Sequence, residues 1–251
     1  MKIIFLGTNG WFDTDTGNTI CTLIKTDTCD IVLDAGYGIY KLDKYCDGNK
    51  PVYIFLSHLH LDHIAGLHTL AKFRFSKGVK IFVPEPARAA FDRFFAKPFT
   101  IPAKRLPFDA KIEIIKERLS VRGVEVTARE LVHADRCFGY RFKISGKIIA
   151  YCIDTGYCRN ALNLAQGADV FIAECALRAG QNDEGWPHLD PIQAARIAKQ
   201  AKAKKMVLTH FDAHNYQSKK ERALAQKQAR KYFAQSFAAS DGMELLLSRT
   251  R

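Results

Sequence analysis

The segment Ser57-His58-Leu59-His60-Leu61-Asp62-His63 limits what this 251-residue chain can fold into more than any other, because it directly follows the apolar run Tyr53–Leu56. A buried strand that ends in three imidazoles and a carboxylate is a poor structural choice. Each imidazole needs a partner or carries a desolvation cost. Imidazole is also the commonest metal ligand. In an extended segment, positions i and i+2 share a side, so His58 and His60 point one way. Asp62 and His63 turn with the start of a helix and can face a second ion. Further ligand types recur just past apolar strands: His133 after Val121–Ala128, Asp154 after Ile148–Cys152, and His210 at the end of Met206–Thr209. Ligands at strand ends sit on a rigid scaffold and can converge at one edge of a sheet.

The rest of the chain supplies such a scaffold. The runs Lys2–Gly7, Thr19–Thr26, Asp30–Leu33, Val52–Leu56, Lys80–Val83, Lys111–Ile115, Val121–Ala128, Tyr140–Ile144, Ile148–Cys152, Val170–Ile172, Met206–Thr209 and Glu244–Leu247 read as strands. Ser145-Gly146-Lys147 reads as a hairpin turn. Helices are expected over Asp62–Phe73, Pro86–Phe95, Pro191–Ala201 (with Asp190 as its cap) and Ser218–Ser236, and an irregular loop over Lys97–Pro107. With 47% hydrophobic and 25% charged residues the composition is that of a globular protein, which excludes global disorder, collagen and coiled coils. The pattern predicts one domain over residues 1–251, of α/β or α+β class. The Ile3-Ile4-Phe5-Leu6 run is too short for a signal peptide, and no run is long enough for a membrane helix. Seven cysteines without a Cys-x-x-Cys pair suggest reduced thiols and a cytoplasmic location.

His-x-His-x-Asp-His, then a lone His, an Asp and a last His, in this order, resembles the metallo-β-lactamase superfamily. Phe5-Leu6-Gly7-Thr8-Asn9-Gly10, Val32-Leu33-Asp34-Ala35-Gly36 and Asp241-Gly242-Met243 extend the resemblance over nearly the whole chain. It implies an α+β, four-layer αββα sandwich of two mixed sheets flanked by helices. Pro187-His188-Leu189-Asp190-Pro191-Ile192-Gln193-Ala194-Ala195 and Phe171-Ile172-Ala173-Glu174-Cys175 resemble the branch of ribonuclease Z and its smaller phosphodiesterase relatives. One departure stands out. Full tRNA-processing members carry an inserted arm that grips tRNA, in the common bacterial form between the lone His and the bridging Asp. Here His133 and Asp154 are 21 positions apart (154 minus 133), and two strands and the Gly146 turn fill the interval.

The resemblance implies two divalent ions, zinc first and manganese or iron as alternatives. His58, His60 and His133 would take one, Asp62, His63 and His210 the other, and Asp154 would bridge. A hydroxide between the ions would be the nucleophile. His188 would protonate the leaving group or hold the phosphate, Glu174 would orient His188, Asp62 would accept a hydrogen bond from the water, and Asp34 would support the ligating histidines. His68 reads as structural, His214 as a surface-loop residue or a pocket wall, and Cys152 and Cys175 as packing. Phe73, Phe75, Phe91, Phe94 and Phe95 read as core rather than as stacking platforms. The net charge of +12 favours an anionic partner, and Arg196–Lys231 alone carries eleven Lys/Arg against Asp212 and Glu221. The expected activity is a phosphodiesterase acting on RNA or small nucleotides, as a homodimer with no membrane partner. A carboxyl-ester, thioester or lactone hydrolase on the same metal core is the alternative. An RNA-binding protein with structural metals ranks below both.

Overall fold

A computed structural model describes residues 1–85 and 87–248. The described chain forms two compact units. The first holds Met1–Thr8, Gly17–Ile115 and Asp241–Ser248, and the second holds Asn9–Thr16 and Lys116–Ser240.

The first unit is built on a seven-stranded mixed sheet, in the order Glu244–Leu246, Lys2–Gly7, Cys21–Lys25, Asp30–Leu33, Val52–Phe55, Val79–Val83 and Ala110–Ile114. The first four strands pair antiparallel and the last four parallel. Asp30–Leu33 and Val52–Phe55 are buried along their whole length, as near-continuous apolar runs in parallel strands should be. Leu6, Leu23, Val32, Ile54 and Ile81 share one core cluster with Ile39, Leu42, Leu67, Leu70 and Phe91 from the helical segments. Phe73, Phe75 and Phe95 are buried in this cluster and Phe94 packs against it, so the phenylalanines belong to the core as read.

The second unit carries the other seven-stranded sheet, in the order Ser236–Ala238, Met206–Thr209, Val170–Glu174, Lys147–Cys152, Phe138–Ile144, Val124–Glu130 and Arg118–Val121. Its first four strands are parallel and the rest antiparallel. Phe171, Ala173, Met206 and Leu208 pack with the small faces of Pro191–Gln200 (Ala194, Ala195, Ala198) and Lys219–Arg230 (Ala225, Ala229). Alanine on these faces lets helix backbones approach the sheet closely. Two mixed sheets with flanking helices are the expected class.

Several elements differ from expectation. Val121–Ala128 is not one strand. Arg122 and Gly123 are both left-handed, with φ of 49° and 81°, and turn the chain between Arg118–Val121 and Val124–Glu130. This is the turn chemistry of Ser145-Gly146 (φ 49° and 76°), but the flanking valines concealed it. Asp62–Phe73 divides into one α-turn, Leu61–Ile64, and a 3-10 stretch, Ala65–Lys72. Ser218–Ser236 ends at Arg230, and Ser236–Ala238 pairs with Met206–Leu208 instead, where sheet pairing overrides helical periodicity. Pro191–Gln200 has the expected Asp190 cap, reinforced by Gln193. The helix expected over Pro86–Phe95 spans Arg88–Phe94, and Pro86 lies outside the described residues. A 3-10 helix at Tyr37–Lys44, an α-helix at Arg159–Ala165 and the pair Asn9–Gly10 with Phe211–Asp212 were not expected. Among the described residues, no helix is long and apolar enough to cross a membrane.

Candidate metal centre

In the first unit the donors gather where two parallel strands end. Asp34 follows Asp30–Leu33 with φ 55°, and Ser57 and His58 come shortly after Val52–Phe55. The left-handed backbone at Asp34 is uncommon for a residue with a Cβ. It accompanies a buried carboxylate that accepts from Ser57 N–H at 2.7 Å and from Ser57 Oγ at 2.9 Å. Asp34 Oδ2 lies 3.0 Å from His63 Nδ1, and Ser57 Oγ lies 3.0 Å from His58 Nδ1. Asp34 and Ser57 thus engage the Nδ1 side of both rings, which makes Nε2 the nitrogen that each offers to a metal. The ring of His58 sits 4.3 Å from that of His60 and 4.2 Å from that of His63, and Asp62 Oδ2 is 3.5 Å from His63 Nε2.

In the second unit three parallel strands end side by side. Glu174 closes Val170–Glu174, Asp154 follows Lys147–Cys152 with φ 54°, and His210 follows Met206–Thr209 with φ 50°. Asp154 presents one oxygen to each of two imidazoles: Oδ1 is 3.0 Å from His210 Nε2 and Oδ2 is 3.8 Å from His133 Nε2. His188 Nδ1–H donates to both Glu174 oxygens, at 3.0 and 3.1 Å. Glu174 also accepts from the backbone N–H of Thr155 and Ala176. One ligand atom each from Asp154, Glu174 and His188 lies within 4.8 Å of the others. Burial opposes protonation of His188, but the charge of Glu174 and its hydrogen bond outweigh it and raise the imidazole above its ordinary pKa.

Three contributors carried weaker signals. Ser57 was visible only as the residue before His58. Trp186 stands edge-on to His133, with ring centroids 5.6 Å apart. Gly10 touches His210, and a Cβ there would lie 2.5 Å from Cε1 of the imidazole. His68 and His214 are exposed; His68 Nδ1 bonds the Ala65 carbonyl at 2.6 Å, and the N–H of His214 bonds Asp212. All seven cysteines are free thiols. Burial pushes the Cys152 and Cys175 thiols well up, so both stay protonated and serve as packing residues.

Imidazole nitrogens and carboxylate oxygens, with His58 and His63 held from the Nδ1 side, form a donor set that suits a borderline divalent ion such as zinc. These two clusters and the two mixed sheets define the class: a metal-dependent hydrolase of metallo-β-lactamase fold. The chain belongs to the family described as "Beta-lactamase superfamily domain", which matches residues 30–211. It is similar to the probable metallo-hydrolase YhfI of Bacillus subtilis, with 25% identity over 84% of this chain and 87% of YhfI. The YhfI crystal structure superposes with a TM-score of 0.81 at 21% identity, over 97% of this chain and 98% of that one. Ribonuclease Z of Bacillus cereus is 27% identical over 75% of this chain and 78% of its own. The short form of human tRNase Z shares the fold, with a TM-score of 0.76 at 22% identity over 99% of this chain and all of that one.

Proposed function

We propose that this chain is a phosphodiesterase acting on nucleotide or RNA phosphodiesters, and that residues 1–251 work as a single domain. The observation that carries the reading is the pair of half-buried His188 and buried Glu174 beside Asp154, because a phosphodiester leaves as an alkoxide and needs a proton. The proposed metal residues are His58, His60 and His133 for one ion, Asp62, His63 and His210 for a second, and Asp154 shared. When bound, two divalent ions, most simply zinc, supply an acidified water and positive charge for the phosphate oxygens.

The chain's own residues do the rest. Asp34 and Ser57 orient His63 and His58. Asp62 accepts a hydrogen bond from the attacking water and aligns it. His188, kept protonated by Glu174, gives its proton to the leaving oxygen. A raised pKa keeps this acid available over a wider range, and the proton is lost as pH rises through the value in the folded protein. The net charge of +12 attracts anionic substrates. Free thiols agree with a cytoplasmic location. A homodimer follows the family resemblance.

The interval between His133 and Asp154 is occupied by the hairpin of Phe138–Ile144 and Lys147–Cys152, which leaves no arm for tRNA there. Small phosphodiesters and RNA ends therefore rank above tRNA precursors as substrates. The test is hydrolysis of bis(p-nitrophenyl) phosphate by zinc-reconstituted protein, with Asp154→Ala as the blank. Turnover that disappears in the variant supports the reading. Absence of turnover alongside thioester or lactone hydrolysis overturns it. His188→Ala should lower kcat by about 10²- to 10⁴-fold for poor leaving groups and much less for p-nitrophenolate; equal losses would reject the acid role.

A further inference from the structure

Both tryptophans of the chain, Trp11 and Trp186, lie in the second unit and are exposed, at 65% and 48%. Tryptophan is highly buried on average, so two exposed indoles in one unit point to a use for that surface. A run of ring contacts leads from Trp186 to His210, and the backbone of Gly10 links His210 to Trp11. Trp186 meets His133 edge-on at 5.6 Å, His133 lies 5.2 Å from His188, and His188 lies 6.2 Å from His210. His210 in turn packs on Gly10, the neighbour of Trp11. Trp11 stands edge-to-face with Phe12 at 5.1 Å, and Phe12 is itself 43% exposed.

These aromatics are held rather than loose. Asn9 Nδ2 donates to the Phe12 carbonyl and to Thr14 Oγ1, both at 3.0 Å, and Gly10 accepts from Phe12 N–H at 3.0 Å. The buried guanidinium of Arg222 sits over the Phe211 ring at 4.8 Å and donates to Asn9 Oδ1 and Thr16 Oγ1, which ties the loop to the helix Lys219–Arg230. Trp11 has φ 72°, a left-handed conformation that a bulky residue rarely adopts without such support. On the other side, Asp183 Oδ1 accepts from the N–H of Gly185 at 3.0 Å and of Trp186 at 2.9 Å. Apolar surface that is exposed and preorganised is suited to receiving a flat apolar group without an ordering cost.

We infer that Trp11, Phe12 and Trp186 form an aromatic rim that stacks a nucleobase of the substrate and so sets its specificity. This rests on the phosphodiester reading, since Trp186 meets His133 and Trp11 directly follows Gly10, which packs on His210. Aromatic stacking is indifferent to which base is offered but not to whether one is present. The inference therefore predicts preference for a base over none, with little discrimination among bases.

The experiment compares adenosine 5′-monophosphate with ribose 5-phosphate, which carries the same phosphate and sugar but no base. Affinities are measured by calorimetry on the full chain, and tryptophan emission reports contact. Adenosine monophosphate should bind about tenfold tighter than ribose 5-phosphate and quench the emission. Trp11→Leu and Trp186→Leu should each weaken the nucleotide about five- to tenfold more than they weaken ribose 5-phosphate, while Trp186→Phe restores most of the loss. Equal affinity for the two phosphates in the wild type overturns the rim. So do leucine variants that weaken both ligands alike, which marks a merely structural role. Hydrolysis of bis(p-nitrophenyl) phosphate by the wild type separates the two levels. Retained turnover with no base preference rejects the rim alone; no turnover and no affinity for either phosphate rejects the phosphodiester reading as well.

Discussion

Three site residues, Asp34, Asp154 and His210, have left-handed backbones at the ends of buried strands. Such positions cost of order 1–3 kcal/mol each and persist where the surroundings over-determine them. At Asp34 the surroundings are Ser57 and His63, and at His210 they include the bare backbone of Gly10. Gly10→Ala should displace the His210 imidazole and weaken metal binding by about 10- to 100-fold, comparable to losing a supporting contact. A metal-competition titration checks this, with circular dichroism expected unchanged; unaltered metal affinity would show that the imidazole tolerates the methyl group. A second residue concerns stability. Asp169 accepts from Lys204 Nζ at 2.9 Å and from Ile148 N–H at 2.8 Å. Burial opposes its ionisation, but these bonds win and hold the carboxyl below its ordinary pKa. A depressed pKa means that the stabilisation is present above the unfolded-state value and is lost as pH falls through the folded-state value. Asp169→Asn should therefore cost about 1–2 kcal/mol at neutral pH, and the gap to wild type should close in acid. Denaturant unfolding across pH measures it, and a gap independent of pH would contradict it.

At the scale of elements, the helices were most legible where capping chemistry is local. Asp190-Pro191 marks a start that needs no tertiary knowledge, and the cap forms as read, with Gln193 completing a capping box. The basic helix opens on a box of Ser218 and Glu221, whose side chains bond each other's backbone N–H. Ser218→Ala should destabilise by about 1 kcal/mol and lower Tm by about 2–4 °C in a protein of this size. Thermal denaturation tests this, and an unchanged Tm would place the helix's stability wholly in its packing. The other end of the same helix was illegible. Lys231 to Gln235 continue a plausible helical pattern, yet the chain leaves it so that Ser236–Ala238 can pair with Met206–Leu208. Helical periodicity competes there with a strand edge that no local window contains. The split at Arg122-Gly123 failed for another reason: Val121 and Val124 each belong to a strand, and only the left-handed turn separates them.

At the scale of the whole molecule, a bound metal is linked to folding. An ion that binds only the folded chain stabilises it by about 2.7 kcal/mol at a hundredfold excess over Kd. Chelation should thus lower Tm by at least about 5 °C, and zinc should restore it; an unchanged Tm after verified metal loss would count against donors held in the folded state. The net charge of +12 acts at this scale too, though Arg222 shows that the basic stretch is not wholly a surface: its guanidinium is buried and fixes the segment Asn9–Thr16. The sequence by itself determined the donor types, their order and their placement just past apolar strands, because strand alternation, apolar runs and histidine spacing are properties of neighbouring residues. Only the tertiary structure decided the rest. Asp34 meets Ser57 and His63, His188 meets Glu174, Gly10 clears room for His210, and Trp186 leans on His133. Each of these contacts joins residues well separated in sequence, 14 positions apart for His188 and Glu174 and more for the others, and such pairings are set by sheet register and close packing, which no local pattern encodes.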